Sequence, residues 1–83
     1  MHELSIAQGV LEEVRRHLPQ GSPLSVRTVR VRLGEEAGIA PEALTFCFDL
    51  VSRGTPAEGA ALKIERVAGG DLRVYELETK DED

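Results

Sequence analysis

A single cysteine, Cys47, constrains this 83-residue chain more than any other feature. A core of this size is marginal, and short domains often add disulfides or a structural metal. One thiol forms no intramolecular disulfide. Without a CxxC pair or a CxxxH, no thiolate zinc cage can be built within one chain. The core must come from packed helices and strands, in one domain. The cysteine usage reads as cytosolic. The opening residues lack the basic and apolar regions of a secretion signal, and no apolar run approaches the roughly 20 residues that span a membrane. A cytoplasmic protein with no membrane partner is the expectation.

Hydropathy patterning then places the elements. In "SIAQGVLEEVRRHL", Ile6, Val10, Val14 and Leu18 recur every four residues beside Ala7 and Leu11, which predicts a helix. Ser5 and Gln8 have the form of a capping box, so the helix is expected to begin at Ser5. Glu12 and Arg16 are spaced as an i,i+4 ion pair. "PQGSP" ends the segment. "LSVRTVRVRLG" (24–34) is β-branched and alternating, as a strand requires. Its parity changes after Val26, which predicts a bulge or a bend near Arg27–Thr28.

"PEALTFCFDLVSRG" predicts a second helix between Pro41 and Gly54. Leu44, Cys47, Phe48 and Val51 make its core stripe, while Phe46 and Leu50 fall outside it. Two apolar faces predict burial on both sides. "AALKIERV" and "DLRVYELE" read as strands joined by Gly69-Gly70 in a hairpin. In that pairing Ile64 opposes Tyr75, Leu62 opposes Leu77, and Lys63 opposes Glu76. Val67, Leu72 and Val74 are left on the outer face as a candidate interaction patch. The order helix, strand, helix, strand, strand gives an α+β two-layer sandwich: two helices on one face of a three-stranded mixed sheet, with strands 24–33 and 61–67 parallel about the helix. The domain spans 1–79, with 80–83 as an acidic tail.

The net charge is −5. Arg27, Arg30 and Arg32 read as a strand's solvent-facing residues, and without aromatic residues to stack bases they are a weak signal for nucleic acid, so no nucleic-acid partner is expected.

Little here performs catalysis. "HEL" begins like HExxH, but residue 6 is isoleucine. There is no GxGxxG, no P-loop, and no serine with a visible histidine–carboxylate arrangement. His17 ends the first helix, where an imidazole suits the negative helix end. Cys47, between phenylalanines on a core stripe, reads as an inert thiol. An enzyme is not expected. The amino terminus, "MHE", does offer chemistry. The terminal amine of Met1, the backbone nitrogen and imidazole of His2, and the backbone nitrogen of Glu3 form fused chelate rings. Such rings favour square-planar Ni(II) or Cu(II) over zinc. The simpler reading is that a histidine stands second by accident.

"MHELSIAQ", "LTFCFDLVSRGTPAEGAALKIERV" and "DLRVYELE" resemble, in that order, the HypA/HybF family of hydrogenase nickel-insertion proteins. The resemblance covers the whole chain and implies that family's nickel-binding domain. It implies Ni(II) held by Met1, His2 and Glu3, through the His2 imidazole and amino-terminal nitrogens. It implies a cytosolic metallochaperone that works with a maturation GTPase and delivers nickel to the hydrogenase large subunit, and to urease. The family also carries a zinc module with two CxxC motifs between the strands matching 61–67 and 72–78. Here "AGG" (68–70) closes that gap, so no zinc is expected, and Val67, Leu72 and Val74 would flank the deletion. The alternative is a metal-independent interaction module of the same descent, docking to a GTPase or hydrogenase partner or forming a weak homo-oligomer.

Overall fold

In the computed structural model, which describes residues 3–19, 21 and 24–80, strand β1 (Val26–Gly34) lies in the middle of the sheet. Its sequence explains why. Val26, Val29, Val31 and Leu33 are all fully buried, each contributing about 1.5–3 kcal/mol of apolar burial. A strand so apolar on its inner face needs neighbours on both edges. The sheet order is β2 (Ala61–Val67), β1, β3 (Leu72–Thr79). β2 runs parallel to β1 and β3 antiparallel, so the sheet is mixed as expected.

The expected hairpin between β2 and β3 is corrected, because β1 lies between them. Val29 stands between Leu62 and Leu77, Arg30 between Lys63 and Glu76, and Val31 between Ile64 and Val74. The faces inferred for Leu62, Ile64 and Leu77 hold, but the direct pairs do not. The link 68–71 instead crosses the end of β1. Gly34 N–H donates to the Asp71 carbonyl (2.7 Å), Glu35 N–H to Val67 (2.8 Å) and Glu36 N–H to Gly69 (2.9 Å). Gly34 has to be glycine, since an added Cβ would collide with the Gly69 carbonyl oxygen. Gly69, at φ 100°, makes the turn there.

Two bulges set the faces. A register shift between Val26 and Thr28 places a bulge at Arg27, where a bulge or a bend was expected. A second shift between Arg30 and Val31 leaves Tyr75 as an extra residue in β3, so Tyr75 and Glu76 are both exposed. Tyr75 therefore leaves the inner face it was expected to share with Ile64. It receives the Arg32 guanidinium 3.9 Å above its ring. Arg32 also meets Glu65 at 3.1 Å, and Arg30 meets Glu76 at 3.8 Å.

The grouping of Val67, Leu72 and Val74 on one outer face is corrected too. Leu72, opposite Leu33, and Val74, opposite Val31, pack against the core from the helix side. Val67 pairs with Gly34, one residue further along β1, and so belongs to the other face.

Helix α1 runs over Glu3–Arg16 and α2 over Pro41–Val51. They pack on each other, with α1 beside β3 and α2 beside β2. Ala7, Val10, Leu11 and Val14 of α1 and Leu44 and Phe48 of α2 enter the core. Cys47 and Val51 pack against it half-buried. Burial of α2 on both sides is corrected: Phe46 is 65 % exposed and Leu50 40 %. The capping box is corrected as well. α1 extends back to Glu3, whose carboxylate suits the positive helix end, so Ser5 lies within the helix rather than before it. Glu13, not Glu12, pairs with Arg16, at 3.3 Å. Beyond α2, the Thr55 hydroxyl donates to the Ser52 carbonyl (2.6 Å), and Val26 N–H reaches the Pro56 carbonyl, tying this loop to β1.

Candidate metal centre

Glu3 is the first residue of α1 and is half-buried. Met1 and His2, the other two residues of the expected nickel site, lie outside the described residues. The three are consecutive in sequence. What α1 contributes is a fixed root. Ala7, Val10, Leu11 and Val14 anchor one face of the helix in the core, so the position of Glu3 is set by packing.

The backbone at this point suits nitrogen coordination. The first four N–H groups of an α-helix have no intrahelical acceptor. The Glu3 amide is one of them, so its deprotonation breaks no helix bond. A bare cation at a helix N-terminus is opposed by the helix dipole. A Ni(II) ion bound by two deprotonated amides carries no net charge, which removes that opposition, and the Glu3 carboxylate stands in the first turn. The donor set therefore fits nickel. Among the described residues, no three histidine, cysteine, aspartate or glutamate side chains gather into a metal site.

The remaining candidate ligands are accounted for elsewhere. His17 lies past the far end of α1, about 20 Å away at the helical rise. Its Nδ1 donates to the Glu13 carbonyl at 2.9 Å, the capping role expected from sequence. Cys47 is half-buried on α2 against the core.

One spatial relationship had no sequence signal. Ser5, Ile6 and Gly9 line a groove with Leu72, Arg73 and Val74, whereas His17 borders Val74 to Leu77. α1 thus runs alongside β3 in the same direction. Its amino end lies beside the start of β3, next to the 68–71 link. By contrast, the place of Glu3 in the helix had a signal that sequence reasoning missed, since an acidic residue favours a first turn.

No helix among the described residues is long and apolar enough to cross a membrane. A family model for hydrogenase/urease nickel-incorporation metallochaperones, HypA, matches residues 1–71. The chain is 46 % identical over 70 residues to a hydrogenase maturation factor HypA from Streptomyces avermitilis, covering 83 % of this chain and 53 % of that protein. It is 45 % identical over 73 residues to one from Archaeoglobus fulgidus, covering 88 % and 66 %. It is 46 % identical over 69 residues to one from Methylocella silvestris, covering 83 % and 61 %. The chain thus spans about half to two thirds of the length of these curated relatives. It belongs to the HypA family of nickel-incorporation metallochaperones.

Proposed function

We propose that this chain is the nickel-carrying domain of such a metallochaperone, and that it takes Ni(II) as cargo at its amino terminus. The family is one of maturation factors and not of enzymes, in keeping with the expectation from sequence. In this reading the Met1 amine, the His2 amide nitrogen and imidazole, and the Glu3 amide nitrogen hold the metal. The nickel supplies no chemistry here beyond being bound and released. The observation that carries the reading is the place of Glu3: it opens α1 directly after Met1 and His2, with an amide not committed to the helix.

Delivery follows from the family. The recipient is the large subunit of a [NiFe]-hydrogenase, with urease as a further recipient, and a maturation GTPase assists in the cytoplasm. The zinc module that the family resemblance implies is absent in this reading. What supports this is that these 83 residues hold one cysteine, too few for two CxxC motifs, and that residues 68–70, where the gap is expected, lie in the short link hydrogen-bonded across the end of β1. That link lies beside the amino end of α1, so a module inserted there would neighbour the nickel site.

A second reading, a metal-independent interaction module, draws on the exposed Phe46 and Leu50. Calorimetry separates the two. The first expects one Ni(II) per chain, lost on His2→Ala, and nickel-dependent affinity for the GTPase or hydrogenase partner. Partner affinity indifferent to nickel, with no nickel uptake, favours the second.

A further inference from the structure

β2 ends the sheet, with one edge unpaired by any strand among the described residues. Which of its backbone groups face outward follows from the ladder. Val67 pairs with Gly34 and accepts from Glu35 N–H, so Val67 directs its backbone groups toward β1. Alternate residues of a strand point their N–H and C=O groups to opposite edges. Glu65 and Lys63 therefore also face β1, while Leu62, Ile64 and Arg66 present theirs to the free edge.

The same edge borders an apolar groove. Phe46, Thr45 and Pro41 of α2 form one wall, and Leu62 and Ile64 form the floor. Phe46 is the most exposed large apolar side chain among the described residues, at 65 %.

We infer that this edge pairs with β2 of a second copy of the chain, antiparallel, with a two-fold axis at Ile64. Charge complementarity selects both the partner and the register. Centring on Ile64 places Lys63 of each copy opposite Glu65 of the other, twice by symmetry. These fall at non-hydrogen-bonded positions, where side chains approach most closely, with Cα atoms about 4.5 Å apart. Ile64 meets Ile64 at the axis, and Leu62 meets Arg66 on either side, giving about six backbone hydrogen bonds between outward-facing groups. One step away in either direction, Lys63 opposes Lys63 or Glu65 opposes Glu65. Registers centred further out pair only residues 61–63 or 65–67 of β2.

Glu65 is already held on the outer face by Arg32 at 3.1 Å, with Arg32 resting on Tyr75. It is thus positioned to receive a lysine from across the axis. On the helix side, Phe46 of each copy lies beside the new strand junction and shields it from water. The assembly is a continuous six-stranded sheet with all helices on one face, closed by two-fold symmetry.

Sedimentation of the metal-free 83-residue chain across a concentration series to about 1 mM tests this. The expected result is a monomer–dimer equilibrium. Lys63→Glu alone and Glu65→Lys alone each set like charges against each other at both symmetric positions, and each weakens dimerisation about tenfold. An equimolar mixture of the two variants pairs opposite charges at both positions and regains the dimer. Circular dichroism confirms that each variant is folded. A chain that stays monomeric throughout, a dimer indifferent to both substitutions, or a mixture that fails to recover each overturns the proposal. Hydrogen exchange gives a second reading: the amides of Leu62, Ile64 and Arg66 slow as concentration rises, and unchanged rates contradict the pairing.

Discussion

The Gly69 carbonyl lies directly over the Cα of Gly34, leaving no space for a side chain there. This contact lets the β2–β3 link pass over the end of the central strand. Gly34→Ala forces the link away and disturbs the hydrogen bonds from Gly34, Glu35 and Glu36. Denaturant unfolding is expected to show a loss of about 1–3 kcal/mol. An unchanged midpoint would show that the link yields freely.

Gly9 gives the opposite outcome. It lies inside α1, exposed, with nothing within 4 Å of an added Cβ. Gly9→Ala is expected to raise stability by about 0.5–1 kcal/mol through helix propensity and reduced unfolded-state entropy. The same unfolding measurement reads it.

Phe48 and Phe46 are two residues apart on α2 and differ sharply. Phe48 is 1 % exposed, Phe46 65 %. Phe48→Ala is expected to cost about 3–5 kcal/mol, and Phe46→Ala less than about 0.5 kcal/mol in the dilute monomer. Equal costs by thermal or chemical melting contradict this description of α2.

Arg32 meets both Glu65 and the Tyr75 ring at the surface. A double-mutant cycle on Arg32→Ala and Tyr75→Ala is expected to return a coupling of about 0.5–1 kcal/mol. Added salt weakens the Arg32–Glu65 pair. A coupling of zero means the stacking is incidental.

Much of the fold was legible in the sequence because local physics sets it. The apolar stripe of α1 and the β-branched alternation of β1 each announce an element, and the parity change after Val26 marks where the strand departs from regular pairing. Strand order was not legible. Gly69-Gly70 reads as a hairpin turn, and the inner faces of β2 and β3 match whether they pair directly or across β1. Only the need of Val26, Val29, Val31 and Leu33 for neighbours on both edges distinguishes the two, and that is a tertiary requirement. Tyr75 was misplaced for a related reason, since the second bulge leaves no composition signal. At the candidate site, the donors proposed on Met1, His2 and Glu3 are a reading of sequence alone, since the three are consecutive. The neighbouring 68–71 link was not, because packing of α1 along β3 places it there.

The central claim is that nickel is held by an amino-terminal chelate. Titration of Ni(II) into untagged protein beginning at Met1, read by the visible absorption of square-planar nickel, tests it most directly. The account predicts saturation at one nickel per chain, with loss of the band on His2→Ala and on extending the amino terminus by one residue. Stoichiometric binding with the same spectrum after both changes would contradict it.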